Sequence, residues 1–186
     1  PPLSRLDPGM ENILRIMRVA GDLPADRESV FWLNVKEIPE RSKEENVLQI
    51  AVRSRIKLFY RPARMAGKPE EARAQLQWVV SPGPEGRGAV LRVANPSAYH
   101  VTFTALDIND GQQKINADMV PPFGEASYPL TAVKTPEAIR VSFTTLNDYG
   151  GETPGEQVRV PQGTTPVAVK TEPLPPPAAS ADGNKQ

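Results

Sequence analysis

The chain has 186 residues, with 22 Lys plus Arg balanced by 22 Asp plus Glu, one His and no Cys. This length suffices for one large domain or two small ones, and the balanced charge argues against nucleic-acid binding driven by whole-domain charge. The lack of cysteine excludes disulfides, thiolate metal sites and cysteine nucleophiles, and a lone histidine without an HExxH helix excludes a histidine-built zinc site.

In chain order, the opening Pro1-Pro2-Leu3-Ser4-Arg5 lacks the basic start and apolar core of a secretion signal. Either a signal has been removed or the start is not the natural one. No run approaches the roughly 18 apolar residues of a membrane-spanning helix, so no direct membrane insertion is expected. Residues 11–19, after the turn Asp7-Pro8-Gly9, are predicted as a strand. Residues 29–38 form a second strand, rich in aromatic and branched side chains, that stops at Pro39. The charged stretch 40–45 is read as an exposed loop.

The segment Asn46 to Tyr60 is predicted as one long strand. One face carries Leu48, Ile50, Val52, Ser54, Ile56 and Leu58, and the other carries Val47, Gln49, Ala51, Arg53, Arg55 and Lys57. Arg61-Pro62 ends it, because proline has no donor to continue a ladder. Further strands are predicted at 74–80, 89–94, 99–108, 119–130 and 138–146, separated by proline and glycine turns. Many short strands at this spacing mean a β-sandwich or barrel. Residues 161–186, rich in proline, alanine and polar residues, are read as a mostly disordered tail.

Few motifs carry chemistry. Gly83-Pro84-Glu85-Gly86-Arg87-Gly88 lacks the lysine-serine ending of a phosphate loop and reads as a hairpin turn. No two carboxylates stand out as an acid–base pair, so no catalytic residue, metal or cofactor is expected. His100 lies in a strand-like run and reads as a packed or surface strand residue. Arg53, Arg55, Lys57 and Arg61 form a basic row, which is either a solvated face that discourages edge pairing or an anion-binding cleft. The apolar row of the long strand is either core-facing or an edge that adds to a partner's sheet.

Pro2-Leu3-Ser4-Arg5-Leu6-Asp7-Pro8-Gly9, the run from Asp26 to Pro39, and Leu48-Gln49-Ile50-Ala51 through Ile56-Lys57-Leu58-Phe59-Tyr60-Arg61-Pro62 resemble successive motifs of the PapD-like pilus-assembly chaperones. Asn95-Pro96-Ser97-Ala98-Tyr99-His100 and Leu146-Asn147-Asp148-Tyr149-Gly150-Gly151 resemble motifs of that family's second domain. The resemblance implies an all-β chain with two immunoglobulin-like β-sandwich domains: a first domain within 1–62, a second at 63–160, and a tail at 161–186. It also implies a periplasmic, ATP-independent chaperone that caps pilus subunits by lending them a strand and delivers them to an outer-membrane usher. Leu48, Ile50 and Val52 would be the lent side chains, and Lys57 would bind a subunit's terminal carboxylate. Arg15, Glu28 and Asp148 would form an interdomain charge cluster.

An immunoglobulin-like domain needs about seven strands and roughly 100 residues, so the first domain is expected to lack its opening strands; the resemblance implies that the family's second cleft anchor, an arginine, lies in that missing part. Impaired capture and self-association through exposed strand edges follow as expectations. The alternative reading is a structural or adhesive β-sandwich whose basic face binds anions.

Overall fold

The computed structural model describes residues 3–19, 21–39 and 46–175. The core of the molecule is a two-sheet sandwich spanning roughly the second half of the chain. One sheet runs in the order β11 (Val167–Ala168), β3 (Gln77–Pro82), β4 (Ala89–Asn95) and β8 (Gly124–Leu130). The other runs β12 (Thr171–Pro173), β10 (Glu156–Val160), β9 (Ile139–Thr145), β5 (Val101–Ile108) and β6 (Gln113–Ile115), with β7 (Met119–Val120) also pairing with β5. Among the described residues a single short α-helix, Pro69–Ala72, precedes the sandwich, and no helix is long and apolar enough to cross a membrane.

Alternation builds this core. In β4, Ala89, Leu91 and Val93 point inward with Asn95, and in β9 Ile139, Val141 and Phe143 point inward with Thr145. In β5 the inward set changes parity, from Val101 and Phe103 to Leu106 and Ile108. A bulge between Phe103 and Ala105 makes the change, letting both halves of the strand face the core. At the centre sits Trp78, with its ring centroid 5.2 Å from Phe143 and 5.9 Å from Phe103, while Phe103 meets Phe143 edge-on at 5.8 Å.

The remaining sheet is an antiparallel pair, β1 (Ser29–Lys36) with β2 (Arg53–Tyr60), in register from Ser29↔Tyr60 to Lys36↔Arg53. Such a pair is marginal by itself in water. Large apolar side chains on both strands, among them Phe31, Val35, Ile56 and Leu58, remain exposed.

Four sequence expectations are corrected. The long strand begins at Arg53 and not at Asn46, because its partner β1 ends opposite Arg53 and no described strand forms a ladder with 46–52. Residues 11–19 form no strand, for want of a ladder partner among the described residues; their one tether to the pair is Arg18, which hydrogen-bonds the Tyr60 hydroxyl and stacks 4.6 Å from its ring. The strand expected from Ala74 begins at Gln77, since Arg73–Gln75 forms a 3-10 turn. The tail is not disordered through 161–175. Pro161 accepts a bond from the Val80 backbone N–H, and Val167–Ala168 and Thr171–Pro173 add edge strands to the two sheets. The rest of that tail, and the loop expected at 40–45, lie outside the described residues.

Replacing Trp78 by Ala removes the side chain on which Phe103 and Phe143 converge. The expected cost is about 3–5 kcal/mol, read as a lower denaturant midpoint for the sandwich; a loss below about 1 kcal/mol would contradict this packing.

Candidate functional site

Two turns of the sandwich build the site. In the first, Asn95 uses its whole side chain on the backbone around it. Its amide donates to the carbonyls of Tyr99 (2.7 Å) and Val120 (3.2 Å), while its Oδ1 accepts from the N–H (3.0 Å) and hydroxyl (2.7 Å) of Ser97. A buried polar side chain so fully bonded fixes the turn. The turn then presents three groups to Glu28, just before β1. The Ala98 carbonyl accepts from the Glu28 backbone N–H at 3.0 Å, and the His100 backbone N–H donates to Glu28 Oε2 at 2.8 Å. His100 Nδ1 lies 3.0 Å from the same oxygen and donates its proton to it, since an ionised carboxylate can only accept.

In the second turn, Asn147 Oδ1 accepts from the backbone N–H groups of Tyr149 and Gly151, both at 2.9 Å. The Asn147 N–H donates to the Gly151 carbonyl, and Gly150 takes the positive φ of 80° that lets the chain reverse. This turn holds out Asp148.

Arg61, directly after β2, joins the two. It grips Asp148 with two parallel bonds, Nη1 to Oδ2 at 2.6 Å and Nη2 to Oδ1 at 2.9 Å, and it donates from Nε to Glu28 Oε1 at 2.8 Å. This fork geometry is what arginine offers and lysine does not. Glu28 is 5% exposed. Burial pushes its carboxyl up, but the His100 side chain and N–H together with Arg61 outweigh that and hold it below the usual carboxylate range. Hydrogen bonds from Arg61 likewise hold the Asp148 carboxyl down, and the Arg61 guanidinium is raised in turn. The Phe59 ring lies 5.3 Å from that of His100, closing the apolar side of the joint.

Docked in this way, the β1–β2 pair and the sandwich enclose a cleft of about 850 Å³. From β2, Arg55, Ile56, Lys57 and Phe59 line it. Lys57 stands on its wall opposite Trp32, its cross-strand neighbour, with Nζ 5.4 Å from the ring centroid. Arg55 stacks on the same indole with its guanidinium carbon at 3.9 Å. Arg53 bonds the Asn34 side chain at 3.2 Å.

Of the residues expected from sequence, Glu28 and Asp148 meet on one cation and Lys57 lines the adjacent cleft. Arg15 joins neither carboxylate; it lies on the exposed stretch 11–19, and Arg61 takes the place assigned to it. Leu48, Ile50 and Val52 lie outside the β1–β2 ladder, 84%, 69% and 56% exposed. His100 is the residue that sequence reasoning passed over, because a strand-like run gives no sign of a carboxylate arriving from 72 residues away.

Removing Arg61 leaves the buried Glu28 carboxylate without its cation, whereas removing the half-exposed Asp148 carboxylate leaves Arg61 still paired with Glu28. Arg61→Met is therefore expected to cost about 3 kcal/mol and Asp148→Asn no more than about 1 kcal/mol, measured by denaturant unfolding. Equal costs would contradict the arrangement. Both carboxyls sit below their ordinary values of 4.5 and 3.8, so their stabilisation is complete above those values and is lost as pH falls through the depressed ones. Stability measured against pH is expected to fall below about pH 4.5 in the parent chain and less steeply in Arg61→Met.

Comparison with known proteins places this geometry. The family model "Pili and flagellar-assembly chaperone, PapD N-terminal domain" matches residues 1–66, and "Pili assembly chaperone PapD, C-terminal domain" matches 71–157. The chain is 43% identical over 153 residues to the probable fimbrial chaperone LpfB of Escherichia coli O157:H7, covering 81% of this chain and 62% of that protein. It is 40% identical over 158 residues to the chaperone protein FimC of Escherichia coli K12, covering 83% and 61%. The crystal structure of the YadV chaperone superposes with a TM-score of 0.60 at 38% identity, over 74% of this chain and 65% of that one. The chain thus spans about three fifths of the length of these curated relatives. With both domain models matched in order, it belongs to the PapD-like family of pilus-assembly chaperones, which are not enzymes.

Proposed function

We propose that this chain belongs to a periplasmic chaperone that binds and caps pilus subunits by donor-strand complementation and hands them to an outer-membrane usher. One observation carries the reading. An exposed apolar row, Leu48, Ile50 and Val52, runs directly into a strand whose next cleft-facing cations include Lys57. Adding a strand to another sheet needs unpaired backbone and a row of apolar side chains to set register. The tract 46–52 belongs to no sheet among the described residues, and it carries such a row in Leu48, Ile50 and Val52, each more than half exposed. A lysine ammonium in a partly desolvated cleft suits a terminal carboxylate, which it meets with a charge-assisted bond. Fimbrial chaperones of the family are periplasmic, which supports the proposed location.

The alternative, a basic face that binds anionic polymers, draws less support from the geometry. Arg61 is committed to Glu28 and Asp148, Arg53 bonds the Asn34 side chain, and Arg55 stacks on Trp32. A row so occupied makes a weak polyanion track.

Lys57→Ala is expected to reduce co-purification of a pilus subunit by about tenfold or more, the worth of one charge-assisted bond, while the unfolding midpoint stays within about 0.5 kcal/mol of the parent. Ile50→Asp is expected to reduce capture as well. Unchanged subunit retention in both variants would overturn the proposal.

A further inference from the structure

Lys57 does not wait in the cleft with an open valence. Its Nζ lies 2.6 Å from Oδ1 of Asp118, which belongs to the segment of the sandwich between β6 and β7. The lysine side chain is 23% exposed and the aspartate 71%. The carboxylates that line the cleft, Glu28 and Asp148, are both engaged with Arg61. Asp118 is therefore the carboxylate that the cleft lysine holds.

We propose that Asp118 is a built-in placeholder, whose carboxylate occupies the Lys57 ammonium in the empty cleft and is displaced by the terminal carboxylate of an incoming polypeptide. This rests on the reading of Lys57 as a carboxylate anchor and adds a threshold to it. Three features suit Asp118 to the task. It offers the same chemistry as the incoming group, so it keeps the partly buried ammonium paired while the cleft is empty. It is largely exposed, so water receives it at little cost when it leaves. Arg55, stacked on Trp32 and without a carboxylate partner among the described residues, acts on the charge of Asp118. Two carboxylates cannot share the ammonium without mutual repulsion, so occupancy is a competition. A weakly anionic or amidated chain end lacks the means to win it, and Asp118 acts as a specificity-determining residue.

The test uses a fluorescein-labelled peptide of alternating apolar residues with a free terminal carboxylate, and the same peptide amidated, both titrated by anisotropy. Asp118→Asn is expected to bind the acid peptide about two- to fivefold more tightly, the range of a largely exposed ion pair, and the amide unchanged. The gain is expected to vanish when Lys57→Ala is added. Equal tightening for acid and amide, or no tightening while Lys57→Ala still weakens the acid peptide, would overturn the placeholder and leave Lys57 as the anchor. If the parent chain does not distinguish acid from amide and Lys57→Ala is silent, the anchor reading falls and the placeholder falls with it.

Discussion

The molecule depends on one guanidinium. A two-stranded antiparallel pair is at best marginally stable in water, and β1–β2 buries few of its large side chains. What gives it a defined place is Arg61 at its end, bonded at once to Glu28 on its own sheet and to Asp148 on the sandwich. Because Glu28 is buried and also accepts from two donors of His100, the joint is satisfied on every side. A partly made network at this position would cost more than an apolar contact. Complete satisfaction makes the joint specific in angle as well as favourable, and that angle places Lys57 on the wall of a cleft.

Much of the sandwich was legible from sequence, because its strands alternate and end at proline or glycine. The strands at 89–94 and 138–146 shifted by a residue or so at their ends. Harder to read were features decided by partners distant in the chain. Whether 46–52 joins a ladder depends on how far β1 extends, and no local pattern states that. The short strands at 167–168 and 171–173 have the composition of a disordered tail, yet each pairs with a strand at a sheet edge distant in the chain. The parity change in β5 required a bulge that alternation alone cannot locate.

The site was legible in part, for the same reason. Glu28, Lys57 and Asp148 were identified through resemblance, which carries positions but not geometry. Arg15 was a near neighbour in sequence of the wrong element. Arg61 stood in view as the end of the basic row, but its bidentate grip on Asp148 spans 87 positions. Asp118 and His100 are polar residues in ordinary loops and strands, and only the folded arrangement turns one toward Lys57 and the other toward Glu28. The basic row reads as a series of individual commitments once the partners are seen, and charge counted along the strand conveys none of this.

The central claim is that the β1–β2 pair is held at a fixed angle to the sandwich, and that Arg61 holds it. With no native cysteine, Ser54→Cys on the exposed side of β2 and Glu137→Cys beside β9 provide two unambiguous spin-label sites. Pulsed dipolar spectroscopy across them is expected to give one narrow distance distribution in the parent chain and a broad one when Arg61→Met is added. A broad distribution in the parent, or one that Arg61→Met leaves unchanged, would contradict the account.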